Sequence, residues 1–224
     1  MSGCATTLRA HDGHELAAYE ARGETSPRGG IVLLQEIFGV TAHIRRICDG
    51  YAREGYHVIA PALFDRVERG LEFGYSKEDA ARGRALRARI PWQQTFADVA
   101  TAFAHVAGVA RVAAIGYCWG GTVAWRSAAQ LDGLAAAVCY YPTQIAPYIA
   151  ETPRCPVLMH FGEQDPIATR ADAEALRRAQ GSAVEILSYP ATHGFNCDEI
   201  AGFDRPSAEL ALSRTLDFLR KHVG

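Results

Sequence analysis

The sequence lacks the features that mark membrane-spanning, secreted and nucleic-acid-binding proteins. No apolar stretch in its 224 residues approaches the length of a membrane span, and its first residues lack the basic start and apolar core of a signal peptide. The formal net charge is -2 and no run of like charges occurs, which argues against nucleic acid or an anionic membrane as the main partner. We therefore expect a cytoplasmic protein that binds neither nucleic acid nor a membrane.

The spacing of the cysteines also gives no reason to expect a metal site. The six cysteines include no Cys-x-x-Cys pair, and neither His160 nor His193 stands at zinc-finger spacing from them. In a reducing compartment most cysteines are small buried hydrophobic residues, and Cys139 within Ala-Ala-Val-Cys-Tyr-Tyr fits that interpretation. The histidines other than His193 are interpreted as ordinary.

What the sequence does contain is a regular alternation of short apolar runs and amphipathic stretches. The apolar runs predict buried strands at 30–34, 58–60, 112–117, 135–140, 157–161 and 184–189. The amphipathic stretches predict helices at about 42–54, 77–89, 95–107, 122–130, 170–180 and 206–222. A further strand at 15–20 is expected at the edge of the sheet.

This alternation predicts an α/β fold of three layers, in which a mostly parallel sheet carries helices on both faces. No internal repeat, low-complexity tract or linker interrupts the pattern. The length suits one α/β domain with a sizeable core, so we predict a single domain over residues 1–224.

Cys118 is framed by glycines in a way that predicts a nucleophile. Gly116 stands two residues before it at the end of a predicted strand, and Gly120 stands two residues after it, before a helix-compatible run. This is G-x-C-x-G where α/β-hydrolases carry G-x-S-x-G, the strained turn that presents their nucleophile. The glycines let strand and helix approach closely, and the helix N-terminus favours ionisation of the thiol. The pattern alone is loose, and a structural cysteine is the alternative.

An acid and a histidine follow Cys118 at the ends of later predicted strands. Asp165 comes after the strand at 157–161, and His193 comes after the strand at 184–189. The order Cys118, Asp165, His193 is the chain order of an α/β-hydrolase triad, and the carboxyl ends of parallel strands share one edge of a sheet. Cys118 would attack an acyl carbon, His193 would take its proton, and Asp165 would orient the imidazole. Separately, Asp165 could start a turn and His193 could be a loop residue.

The loop after the strand at 30–34 supplies three further candidates. The backbone N–H of Ile37, together with that of Trp119, would hold an oxyanion. Glu36 could accept the proton of the nucleophilic thiol or hold the thiol neutral, and the alternative is a surface carboxylate that caps a backbone amide.

These segments together resemble the dienelactone hydrolase family over nearly the whole chain. The matching pieces are Leu-Gln-Glu-Ile-Phe-Gly-Val (34 to 40), Gly-Tyr-Cys-Trp-Gly-Gly (116 to 121), Gly-Glu-Gln-Asp (162 to 165) and His-Gly-Phe-Asn (193 to 196). The first two are specific, because ordinary serine esterases have neither.

The resemblance implies an α/β-hydrolase fold, the triad of Cys118, His193 and Asp165, and amide donors at Ile37 and Trp119. It implies that Glu36 is the partner of the resting, neutral thiol. The family's best-known reaction opens a dienelactone to maleylacetate in the breakdown of chlorinated aromatics, with neither a metal nor an organic cofactor.

The sequence departs from the family's pattern where the substrate carboxylate would bind. Family members specific for dienelactone use arginines there, one of them soon after the histidine, but here no arginine follows His193 until Arg205. Arg82 or Arg84, on the predicted helix before the nucleophile strand, could fill the second place. Phe38 and Phe195 are further candidates for the pocket lining.

Three functions therefore compete. The leading hypothesis is a cysteine-dependent hydrolase of carboxylic esters or lactones that acts as a monomer or weak homo-oligomer on a small-molecule substrate. The second is acyl transfer to an acceptor other than water. The third is a non-catalytic redox-sensing protein in which Cys118 is oxidised to a sulfenic acid.

Overall fold

The structure is a computed structural model that describes residues 3–108 and 111–224. Residues 1 and 2, which belong to the segment considered for a signal peptide, lie outside the described residues. The chain divides into two compact units, one up to Val112 and one from Ala113 to Gly224. The sequence-based expectation of a single domain stays a prediction.

The N-terminal unit contains four strands and three α-helices among the described residues. The strands are β1 (Cys4–Arg9), β2 (Glu15–Ala21), β3 (Gly30–Leu34) and β4 (His57–Pro61), and the helices are α1 (Ala42–Arg53), α2 (Lys77–Ala88) and α3 (Trp92–Val106). The strand order is β1-β2-β4-β3, in which β3 and β4 run parallel and the other pairs run antiparallel.

One expectation about this unit is wrong. The strand predicted at 15–20 does not lie at the edge of the sheet, because β1 pairs with its outer side from Cys4 to Arg9. In the β1 segment two threonines stand side by side and only Leu8 is buried, so its apolar pattern is too weak to identify it as a strand. Pairing with β2, which is a tertiary contact, supplies its hydrogen bonds.

The helices of this unit begin where the local sequence provides caps. Thr41 accepts a hydrogen bond from the N–H of Ile44 at the start of α1, and Ser76 forms a capping box with Asp79 at the start of α2. Helix α3 begins directly after Pro91, three residues earlier than predicted. Every residue of β3 and β4 is buried, and since successive side chains alternate between faces, both faces of these strands are covered.

The C-terminal unit carries the remaining strands in the order β5-β6-β7-β8. Its elements are β5 (Val112–Tyr117), α4 (Trp119–Gln130), β6 (Leu134–Tyr140), β7 (Val157–Gly162), α5 (Arg170–Gln180), β8 (Val184–Tyr189) and α6 (Arg205–His222). Strand β7 runs parallel to both β6 and β8. Helix α4 packs on β6, and α6 packs on β6 and β7. Parallel strands alternating with helices confirm the predicted α/β class.

A buried polar network ties α6 to the strands of this unit. The two ring nitrogens of His160 lie 2.8 Å from the hydroxyl of Tyr189 and 2.9 Å from that of Thr215, and the hydroxyl of Tyr140 lies 2.7 Å from that of Thr215. Burial lowers the pKa of His160 to about 3, so its ring is neutral and bridges the strands to α6. Within the described ranges, no helix combines the length and apolar character needed to cross a bilayer.

Candidate active site

Cys118 occupies a strained turn between β5 and α4. Its φ of 55° and ψ of -117° lie in a region that side chains with a Cβ rarely adopt. A Cβ on Gly116 would lie 1.9 Å from the carbonyl oxygen of Gly120, so only glycine lets the strand and the helix approach this closely. The predicted role of Gly116 in this turn agrees with the geometry.

Backbone hydrogen bonds hold the turn from three directions. The N–H of Cys118 donates to the carbonyl oxygen of Tyr140 at 3.0 Å. The carbonyl oxygen of Cys118 accepts from the N–H groups of Gly121 and Thr143 at 3.1 and 3.2 Å. Over-determined backbone of this kind is what allows a strained conformation to persist. The residue is 5% exposed, so only a small part of it reaches the surface.

His193 lies between Cys118 and Asp165. Its Nε2 atom is 3.3 Å from Sγ of Cys118, and its Nδ1 atom is 2.7 Å from Oδ2 of Asp165. The other carboxylate oxygen of Asp165 accepts from the N–H groups of Ile167 and Ala168 at 2.7 and 2.9 Å. The carboxylate is therefore held in place while it fixes the imidazole, and the imidazole can exchange a proton with the thiol.

The loops after β7 and β8 bring Asp165 and His193 together. The N–H of Gln164 donates to the carbonyl oxygen of Ala191 at 3.0 Å. A Cβ on Gly162, the last residue of β7, would lie 2.5 Å from that same oxygen, so glycine is needed where the two loops cross. This close crossing determines the distance between the acid and the histidine.

The electrostatics of this group of residues favour a protonated imidazole. Burial lowers the pKa of His193, but negative charge on Cys118 and the hydrogen bond to Asp165 outweigh it and raise the pKa to about 10. An imidazolium formed when His193 takes up a proton is therefore stabilised between Cys118 and the Asp165 carboxylate.

Two further residues, Tyr141 and Thr143, lie beside these groups. The hydroxyl of Thr143 lies 3.8 Å from Sγ of Cys118, and the ring of Tyr141 packs edge-on against His193 with 5.1 Å between ring centroids. Tyr141 has a φ of 37°, and its N–H donates to the carbonyl oxygen of His160 at 2.7 Å. The sequence feature that could have pointed to both residues is that they follow the end of β6 at Tyr140.

The segment that contains Glu36 and Ile37 belongs to the N-terminal unit and follows β3. Glu36 is buried at 3% exposure, and Ile37 is partly buried. A Cβ on Gly83 of α2 would lie 2.0 Å from the carbonyl oxygen of Ile37, so the absence of a side chain at Gly83 lets α2 pack directly on this segment. The N–H of Phe73 also donates to the carbonyl oxygen of Phe38 at 2.9 Å. The roles of Glu36 and Ile37 stay predictions, as does that of the Trp119 amide at the start of α4.

The four predicted substrate contacts have different surroundings. Phe38 is partly buried, with its ring 4.6 Å from that of Tyr75. Phe195 is fully buried, and its ring lies 5.3 Å from that of Tyr141. Arg82 and Arg84 are exposed on α2, and the guanidinium of Arg82 lies over the ring of Phe73 at 4.7 Å. Their contact with a substrate stays a prediction.

A strained strand-turn-helix around Cys118, followed along the chain by an acid and a histidine that hydrogen-bond in series, is the arrangement of the α/β-hydrolase class. Comparison with known proteins identifies the family within that class. The model of the dienelactone hydrolase family matches residues 16–223. The chain therefore belongs to the dienelactone hydrolase family, and it is a hydrolase of the α/β-hydrolase fold.

Individual relatives agree with this assignment. A protein of Yersinia pestis named "Putative carboxymethylenebutenolidase" is 32% identical over 98% of this chain and 88% of its own length. A protein of Escherichia coli K12 with the same name is 33% identical over 95% of this chain and 84% of its own length. The crystal structure of a "Putative Dienelactone Hydrolase" from Klebsiella pneumoniae has a TM-score of 0.87 at 29% identity and covers 99% of this chain and 100% of its own.

Proposed function

We propose that this chain is a cysteine-dependent hydrolase of carboxylic esters or lactones, with a dienelactone as one candidate substrate. The observation that supports this most directly is the hydrogen-bonded series in which Nε2 of His193 lies 3.3 Å from Sγ of Cys118 and Nδ1 lies 2.7 Å from Asp165. A thiol, a base and an orienting acid at these distances can split acyl transfer into two easier steps.

In the first step the Cys118 proton moves to Nε2 of His193, and the thiolate attacks the acyl carbon. As the C–S bond forms, the carbonyl π electrons move onto oxygen. Backbone N–H groups hold the resulting oxyanion, and the family resemblance assigns this role to the N–H groups of Trp119 and Ile37. The acyl C–O bond then breaks, and the leaving oxygen takes the proton from His193. In a lactone the leaving oxygen stays attached to the acyl chain.

In the second step water hydrolyses the thioester. His193 removes a proton from the attacking water, the C–S bond breaks, and the proton returns to the sulfur of Cys118. Asp165 stabilises the imidazolium in both steps without itself becoming protonated. The N-terminus of α4, which begins at Trp119 directly after the nucleophile, favours negative charge on sulfur and on the oxyanion.

Glu36 completes the proposal as the acid that partners the thiol between turnovers. The family resemblance assigns it this role, and the near-complete burial of Glu36 favours an interior role over that of a surface carboxylate. The variant Glu36→Gln should still form the acyl-enzyme. The rate at which hydrogen peroxide inactivates the resting enzyme should change in this variant.

The test of the proposed nucleophile is the pair Cys118→Ala and Cys4→Ala. We expect Cys118→Ala to abolish turnover of an activated aryl ester or enol lactone, whereas Cys4→Ala, which removes an exposed thiol from β1, should keep full activity. Cys118→Ser should be poor, since a hydroxyl needs a stronger base than a thiol. Full activity in a folded Cys118→Ala variant would refute the proposal.

Acyl transfer and redox sensing are separated from hydrolysis by the fate of the acyl group. Mass spectrometry of the quenched enzyme should detect an acyl adduct on Cys118, and product analysis with added amine or thiol should show water as the preferred acceptor. Preference for the amine or thiol would favour a transferase. A reactive thiol without hydrolysis of any ester would favour a sensor, although the low exposure of Cys118 is unfavourable for oxidation by solutes.

The substrate carboxylate is proposed to meet Arg82 or Arg84. Arg82→Gln and Arg84→Gln should raise KM for a carboxylated lactone and leave KM for a neutral aryl ester unchanged, because only the former loses a charge-assisted hydrogen bond. Arg89→Gln, at the exposed C-terminal end of α2, is the matched control. We keep a cytoplasmic location and a monomer or weak homo-oligomer as parts of the proposal.

A further inference from the structure

Two histidines and a glutamate converge in the N-terminal unit. Glu20 lies on β2, His57 begins β4, and His105 lies in the last turn of α3. One ligand atom from each residue lies within 4.8 Å of the other two. The three residues are far apart in the sequence, so only the pairing of β2 with β4 and the packing of α3 bring them together.

The distances in this cluster suit a metal ion after small movements. Oε1 of Glu20 lies 2.7 Å from Nε2 of His57 and 2.9 Å from Nε2 of His105. Two ligands of a tetrahedral zinc ion with bonds of about 2.0 to 2.1 Å stand about 3.3 Å apart. Side-chain shifts of a few tenths of an ångström would therefore open the cluster to an ion.

Arg22 supplies the positive charge that the cluster now holds. Its Nε atom lies 2.9 Å from Oε1 of Glu20 and 3.0 Å from Nε2 of His57. Nε2 of His57 cannot donate to Glu20 and accept from Arg22 at the same time, since it carries either a proton or a lone pair. One of the two contacts is therefore unsatisfied. The Arg22 side chain is 62% exposed and can move into water at little cost.

We propose that Glu20, His57 and His105 form a binding site for a borderline divalent cation, with zinc as the first candidate, and that Arg22 occupies this site until the ion displaces it. Imidazole suits zinc, copper and nickel, and a carboxylate completes a set of three protein ligands. Water would fill the remaining position. The bound ion would link β2, β4 and α3 and thereby stabilise the N-terminal unit against unfolding.

The test measures zinc binding by calorimetry in a reduced chain that carries Cys118→Ala, so that the thiol of the proposed active site does not compete. His105→Gln removes a partly exposed ligand from the site, and His11→Gln removes an exposed histidine from a turn outside it. We expect His105→Gln to eliminate one binding event or weaken it by at least about tenfold, because losing even a supporting residue of a metal site costs that much. His11→Gln should match the parent.

A second pair of measurements distinguishes a metal site from a mere ion-pair cluster. Arg22→Gln should tighten zinc binding, because it removes the competing charge, and zinc should raise Tm in the parent but not in His105→Gln. Equal zinc affinity in His105→Gln and His11→Gln, or no zinc binding by the parent, would overturn the proposal. Weaker binding in Arg22→Gln would overturn the part assigned to Arg22. None of these measurements depends on hydrolysis, so their outcome tests the metal site independently of the proposed function.

Discussion

The imidazole of His193 is held 2.7 Å from the carboxylate of Asp165, and that carboxylate is itself fixed by two backbone N–H groups at Ile167 and Ala168. The arrangement determines which ring nitrogen faces the thiol of Cys118. Because the acid is buried and fully engaged, its charge acts on the imidazole with little screening by solvent.

Asp165→Asn should lower kcat by about 10³-fold or more, since an amide can fix the wrong tautomer and cannot stabilise the imidazolium. The measurement is steady-state hydrolysis of an activated aryl ester. Asp172→Asn, which changes the capping box at the start of α5, should lower thermal stability and leave kcat unchanged. Similar losses of kcat in the two variants would contradict the role given to Asp165.

The raised pKa of His193 makes the stability of the protein depend on pH. The pKa in the folded state is about 10 and the ordinary value is 6.5, so the stabilisation from this proton is complete below about pH 6.5 and is lost as pH rises toward 10. Urea unfolding at pH 7 and pH 9 should show a smaller free energy of unfolding at pH 9. Cys118→Ala should reduce that difference, because it removes the sulfur whose negative charge helps to raise the pKa of His193. An unchanged difference would mean that the sulfur does not carry the charge.

The strain at Cys118 can be measured by comparing two variants that both lack the thiol. Cys118→Gly should be more stable than Cys118→Ala by about 1 kcal/mol, because glycine adopts a φ of 55° without steric cost. Chemical denaturation gives the two free energies of unfolding. The matched position is Ala124 in α4, where Ala124→Gly should instead destabilise by about 1 kcal/mol or more. Equal stability of the two Cys118 variants would show that the turn is not strained.

Gly116→Ala should destabilise the fold by at least about 3 kcal/mol or prevent folding, since the new methyl group would overlap the backbone at Gly120. Gly108→Ala is the control, because a Cβ there meets nothing within 4 Å. Thermal unfolding of the two variants checks the prediction. A Gly116→Ala variant with normal Tm would mean that β5 and α4 can separate without cost.

Much of the fold follows from local pattern. Continuous apolar runs such as 112–117 and 157–161 predicted β5 and β7 nearly to the residue, because strands buried on both faces are mostly apolar, with His160 as the polar exception. Helix starts were less accurate: α4 begins at Trp119 rather than at 122, since the glycines after Cys118 hide the first turn. Strand β1 was missed because its hydrogen-bond partner, not its own sequence, makes it a strand.

Part of the candidate site could likewise be predicted from local sequence, and part depends on tertiary packing. Residue type, glycine spacing and chain order predicted Cys118, Asp165 and His193 as site residues, because side-chain chemistry and a position just after a strand can both be recognised locally. The approach of Tyr141 to His193 and of Thr143 to Cys118 could not be predicted, because it depends on how β6 ends beside the turn. A tertiary contact between segments that are far apart in the sequence leaves no local pattern from which it could be predicted.

The sequence by itself determined the fold class and the family and predicted the candidate site residues, since these depend on periodicity and residue type. Only the tertiary structure decided the 3.3 Å between Cys118 and His193, the strain in the turn, and the meeting of Glu20, His57 and His105. Those depend on strand pairing and helix packing between distant segments. Histidines that were interpreted as ordinary became candidate ligands because β2, β4 and α3 converge on them.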